Sequence, residues 1–234
     1  MKNKAFTLAE VLITLGIIGI VAAMTLPALI QKNANKVVET RLAKFYSGIN
    51  QAIKLAEVDY GDKSYWYQDT NNIDIDEEGK PINGSSTVEK WWNKYIAPYM
   101  KTIEVKYDTN GLPIFIFADG SSLKANQTSA MRDWIFYTTD RDKCIKKYGS
   151  EDESRGKCSF AFIYAPTNEA FPYNYKKGFE PYKAGWDGTK EGLYDSNGLG
   201  CNNKEGNMNK AFCGALIQYN GWEIPDDYPF KVSY

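Results

Sequence analysis

The sequence contains no histidine. That absence removes Ser-His-Asp and Cys-His catalysis, imidazole metal ligation and the histidine pH switch together. There is no basic excess either: 28 Lys and Arg stand against 29 Asp and Glu, for a net charge of −1. No surplus positive charge is present to hold a nucleic-acid backbone, so DNA or RNA binding is not expected. GxSxG, P-loop, HExxH and GxGxxG motifs are all missing, as are internal repeats and low-complexity tracts. What the chain does hold is 43% hydrophobic and 15% aromatic residues, enough for a packed core. Its apolar residues are unevenly spread, concentrated in the first thirty positions.

Residues 6–30 read FTLAEVLITLGIIGIVAAMTLPALI, with Glu10 as the single charge. As a helix this run is roughly 37 Å long, enough to cross a hydrocarbon layer of about 30 Å with some tilt. Lys2 and Lys4 precede it, and positive charge keeps that end on the cytoplasmic side. Three readings compete. A cleaved signal peptide would use Val21-Ala22-Ala23 as its small-residue cut and leave Met24 first. A plain uncleaved anchor needs only the apolar run. The third reading starts from Glu10. A carboxylate in a spanning segment costs up to ~2.5–3.5 kcal/mol near the centre, and neither a signal peptide nor an anchor gains by keeping it. An intramembrane ionisable residue calls for a function and a partner.

The stretch Lys4-Ala5-Phe6-Thr7-Leu8-Ala9-Glu10-Val11-Leu12 resembles the prepilin leader and methylation motif of type IV pilins and type II secretion pseudopilins, with Ala5 where the motif usually has Gly. The resemblance implies that prepilin peptidase cuts between Ala5 and Phe6 and N-methylates Phe6. Glu10 then stands fifth in the mature chain, where the family keeps its glutamate. Gly16, Gly19 and Pro27 fall where pilin helices carry weak points. The implied partners are prepilin peptidase, other pilin or pseudopilin subunits and an inner-membrane assembly platform. The implied setting is the bacterial inner membrane, single-pass, then a periplasmic or extracellular filament. Cleavage would create an α-amino group, largely cationic at neutral pH, that Glu10 of a neighbouring subunit could pair with. Such a pair is weak net glue, but leaving either charge alone costs ~3–5 kcal/mol, so it would set register while apolar packing supplies affinity.

Beyond Pro27, Val38, Leu42, Phe45, Ile49, Ala52, Ile53 and Ala56 recur at spacings of mostly three and four. That predicts one buried face of a continuing helix, stopped near Gly61. The expected organisation is a leader over residues 1–5, a membrane or filament-core helix over 6–30, its amphipathic continuation over 31–60 and a globular periplasmic or extracellular domain over 61–234. In that domain residues 71–86 read as an acidic loop, and 88–100 as a short helix capped by Thr87 and ended by Pro98. Strands are expected at 103–107, 112–117, 121–125, 134–138 and 159–164, with a hairpin at Asp119-Gly120. Residues 168–200 read as loop, and 215–224 as a second hairpin around Asn220-Gly221. A helix packed on an antiparallel sheet is an α+β, pilin-like fold.

Cys144, Cys158, Cys201 and Cys213 are an even set, which in an exported domain suggests two disulfides. Three connectivities are possible. Cys144–Cys158 with Cys201–Cys213 is favoured because each closes a short loop, contributing ~3 kcal/mol. A zinc site on the four thiolates lacks the usual close-paired spacing. Asp74 to Gly79 resembles the start of an EF-hand loop, but Ser85 stands where the bidentate Glu belongs. Asp195 and Asn197, in a turn similar to one found in some pseudopilins, are calcium candidates; solvated turn chemistry is favoured at both places. No cofactor is otherwise expected. Glu151-Asp152-Glu153 and Asp226-Asp227 read as surface charge, so no enzyme is expected. The sequence points to a structural filament subunit. The alternatives are an anchored or secreted domain that binds glycan or protein through its aromatics, and a minor pilin acting as tip adhesin.

Overall fold

The computed structural model describes residues 7–67, 72–126, 133–204 and 210–234. Its first element is a single helix, α1 (Leu8–Tyr60), of 53 residues. Thr7 caps its start, and Gly61, at φ 76°, stops it with a backbone N–H on the Glu57 carbonyl. Two regimes divide it. Up to Ile30 nearly every side chain is exposed. From Ala34 onward burial repeats at helical spacing, through Val38, Leu42, Phe45, Ile49, Ala52, Ile53 and Ala56. The apolar periodicity of the sequence therefore marks the docked face residue by residue.

That face lies on a six-stranded antiparallel meander: β1 (Glu104–Tyr107), β2 (Pro113–Ile116), β3 (Ser122–Ala125), β4 (Asp133–Tyr137), β5 (Ser159–Tyr164) and β6 (Phe179–Pro181), neighbours in chain order. The β2–β3 hairpin turns at Asp119-Gly120, where Gly120 takes φ 79° and the Asp119 carboxylate accepts from the N–H and hydroxyl of Ser121. Phe45 of α1 stacks on Phe136 with centroids 4.3 Å apart and meets Phe162 edge-on at 5.0 Å. Helix α2 (Thr87–Tyr95) seals one end, with Trp92 stacked on Phe115 at 4.2 Å. Trp66, Trp91, Trp92 and Trp134 are all buried, so most of the tryptophan surface is spent on the core.

Several sequence expectations need correction. The hairpin expected at 215–224 is instead helix α6 (Cys213–Tyr219), and Asn220-Gly221 closes that helix with bonds back to Leu216 and Gln218. The short run Ala215 to Tyr219, apolar but for Gln218, fits strand or helix equally, and the turn residues mark only that something ends there. Within 168–200, expected as loop, lie β6 and α5 (Lys190–Asp195), the latter capped by Thr189. β6 is an edge strand, which is why it tolerates Pro181. Helices α3 (Arg141–Tyr148) and α4 (Glu151–Ser154) were not expected, because they carry no apolar stripe. α2 is capped by Ser86 rather than Thr87 and ends at Tyr95, before Pro98. Glu151 is not loose surface charge: it accepts from Arg141 Nε at 2.9 Å and Lys124 Nζ at 3.1 Å. Lys124 also reaches Asp108 at 2.9 Å, both buried.

Candidate functional site: the N-terminal helix

Thr7 and Glu10 form a capping box. Thr7 Oγ1 accepts from the Glu10 backbone N–H at 3.3 Å, and Glu10 Oε2 accepts from the Thr7 N–H and hydroxyl at 2.8 Å each. Glu10 thus has local work at the helix start, which corrects the argument that a plain anchor gains nothing from it. The signal was present as Thr-x-x-Glu ahead of an apolar run. Ala5 and Phe6 lie outside the described residues.

From Glu10 the helix carries its apolar surface without a partner among the described residues. Leu12, Ile13, Leu15, Ile17, Ile18, Ile20, Leu29 and Ile30 are all exposed. The helix is long and apolar enough to cross a membrane, and its most apolar window has no buried residue. An exposed patch of this size marks contact with lipid or protein. Gly16 and Gly19 sit within this half, and a Cβ at either would meet nothing within 4 Å. Pro27 lies inside the helix and has no N–H for the Ala23 carbonyl.

The other sequence candidates lie away from this half. Cys144–Cys158 ties α3 to the start of β5, with sulfurs 1.94 Å apart, and Cys201–Cys213 pins the start of α6, at 2.14 Å. Asp195 Oδ1 receives Lys204 Nζ at 2.6 Å, and Asn197 follows in the turn after α5. Asp76 Oδ1 accepts backbone N–H groups of Glu78 and Lys80, which is turn chemistry. Among the described residues no group of three His, Cys, Asp or Glu is placed to hold a metal.

Residues 28–232 match the model of a family of unknown function, DUF6613. The chain belongs to that family. Residues 1–26 match the model of the prokaryotic N-terminal methylation motif. The two matches meet at Pro27, close to where α1 passes from a bare to a docked surface. This DUF6613 chain is therefore a type IV pilin-like or pseudopilin precursor by its N-terminus, with the DUF6613 region supplying the sheet domain and the docked half of α1. No curated protein and no solved structure matches it.

Proposed function

We propose that this protein is a structural subunit of a type IV pilus or type II secretion-like filament. Prepilin peptidase removes residues 1–5 and methylates Phe6. Residues 6–30 first hold the subunit in the inner membrane, with its N-terminus cytoplasmic, and then pack against other subunits in the filament core. Residues 31–60 carry the domain of residues 61–234, which stays periplasmic or extracellular. The observation that supports this best is a methylation motif at the head of a 53-residue helix whose first half has no partner among the described residues of its own chain. A bilayer satisfies that half before assembly, and neighbouring helices satisfy it afterwards, when the apolar contacts supply affinity. Glu10 then exchanges its local cap for the amine of a neighbour. The experiment is to shear the surface of the native host, or fractionate its periplasm, and image the released material with antibody to the sheet domain. Decorated filaments that vanish when prepilin peptidase is deleted are expected. Antibody signal confined to monomers, unchanged by that deletion, would sink the proposal.

A further inference from the structure

A groove of about 730 Å³ runs between α1 and the turn 174–178 that leads into β6. That turn is held in place. Lys176 takes the left-handed region at φ 60°, with its N–H on the Pro166 carbonyl at 2.8 Å. Asn50 Nδ2 donates to the carbonyls of Tyr46 and Phe179 at 2.9 Å each, which ties α1 to β6. A Cβ at Gly178 would fall 2.0 Å from Asn50 Oδ1, so glycine is what lets the two approach this closely. Four lysines and two glutamates line the groove. Glu57 is taken by Lys63 at 2.8 Å, and Glu180 by the Tyr46 hydroxyl at 2.9 Å and Lys183 at 3.6 Å. Asp62, outside the lining, offsets part of the Lys176 charge. Lys54 and Lys177 are exposed and have no ion pair among the described residues, which leaves the rim of the groove basic.

Residues 74–82 form a hairpin of the opposite sign. The Asp76 N–H donates to the Lys80 carbonyl at 2.9 Å, the Ile82 N–H donates to the Asp74 carbonyl at 2.7 Å, and Gly79 turns at φ 78°. Asp74, Asp76, Glu77 and Glu78 stand against Lys80 alone, all exposed, and Lys80 is already paired with Glu78 at 2.6 Å. Ile75 on the same hairpin is 65% exposed. The hairpin leans on the β1–β2 turn, where a Cβ at Gly111 would fall 2.6 Å from Pro81 Cβ. It therefore stands by β1 at one edge of the sheet, while the groove flanks β6 at the other.

Complementary surfaces at opposite edges of one domain cannot meet within a chain, but they can meet between copies. Such a contact is head-to-tail, and head-to-tail contacts that do not close into a ring propagate as helical filaments. We propose that the groove beside Lys54, Lys176 and Lys177 receives the hairpin 74–82 of a second copy of this chain. The proposal rests on the filament reading and names the contact that neighbouring sheet domains make in it. Val58, one helical turn beyond Lys54 and 81% exposed, is the apolar surface for Ile75. The charges set the orientation and reject a copy docked the other way.

Charge reversal in the native host tests it, read as the fraction of chain in sheared filaments. Lys54→Glu with Lys177→Glu, or Asp74→Lys with Glu77→Lys, should each lower that fraction about ten-fold, because like charges set face to face are strongly unfavourable. The chain carrying all four substitutions should recover to within about two-fold of wild type, its contact restored with the signs exchanged. Lys143→Glu with Lys146→Glu on α3, equal in net charge change to the groove variant, should assemble as wild type. All six side chains are exposed, and thermal unfolding of each variant confirms folding. Undiminished assembly of either reversal, no recovery in the combined chain, or equal loss in the α3 variant would overturn the contact and leave the filament reading standing. Absence of wild-type filaments would overturn the filament reading and the contact with it.

Discussion

Glu10 Oε2 lies 2.8 Å from both the backbone nitrogen and the hydroxyl oxygen of Thr7, so the carboxylate is folded back on its own helix terminus. Within one chain this is a complete cap. In a filament the same carboxylate is asked to pair with a neighbour's amine. The two roles separate by substitution, because glutamine can serve in a capping box but carries no charge. Glu10→Gln should insert into the membrane as wild type does and yet fail to enter filaments, as should Glu10→Ala. The readout is the fraction of chain in sheared filaments. Normal assembly of Glu10→Gln would reduce Glu10 to a helix cap.

Phe45 fixes the docked half of α1 to the sheet through Phe136 and Phe162. Phe45→Ala should lower unfolding stability by ~3–5 kcal/mol through lost burial and the cavity left behind. Leu55→Ala, on the exposed side, should change it by less than about 0.5 kcal/mol. Denaturant titration of both variants checks the contrast. Similar losses at the two positions would mean that the helix is held differently.

That docked face was legible in the sequence because a 3.6-residue period over some twenty positions has one solution, and Val38 to Ala56 keep it throughout. The β2–β3 hairpin was legible through Asp119-Gly120, and β5 through its aromatic run. The small elements were not. α3 is signalled only by its ends, with Asp140 capping two N–H groups and Gly149 in the left-handed region, since its surface stripe is lysine rather than apolar. α6 reads as strand in the sequence because the short run Ala215 to Tyr219 carries no usable period. At the candidate site the methylation motif is readable in the sequence, whereas the Thr7–Glu10 box takes on its capping role only once the helix start is in place.

The Cys144–Cys158 disulfide closes a fourteen-residue separation and holds α3 against β5. Replacing both cysteines with alanine should cost ~3 kcal/mol, largely by freeing the unfolded chain. Thermal unfolding with and without reductant should show the wild type falling on reduction by more than the variant does. An equal fall in both would place the stabilisation in Cys201–Cys213 instead.

Acid should unfold the domain through its buried ion pairs. Burial alone would raise the Asp108 and Glu151 carboxyls, but hydrogen bonds and charge from Lys124, from Arg141 at Glu151 and from the Leu112 N–H at Asp108 outweigh it and hold both below their ordinary values of 3.8 and 4.5. Groups depressed in the folded state contribute stability above their unfolded pKa and lose it as pH falls through the folded one. With no histidine, stability should be nearly flat between roughly pH 5.5 and 7 and fall below about pH 4. Lys124→Met, which leaves Asp108 without its cation, should cost ~3 kcal/mol at pH 7 and flatten that acid limb. An unchanged limb would mean that other carboxylates set it.

How the chain begins after export decides whether it is a filament subunit. Mass spectrometry of the N-terminal peptide from the native host reads it directly. A chain starting at Phe6 and heavier by one methyl group is expected. A chain starting at Met24, or one that retains Met1 with Lys2 and Lys4, would contradict it and leave an exported or anchored domain in place of a filament subunit.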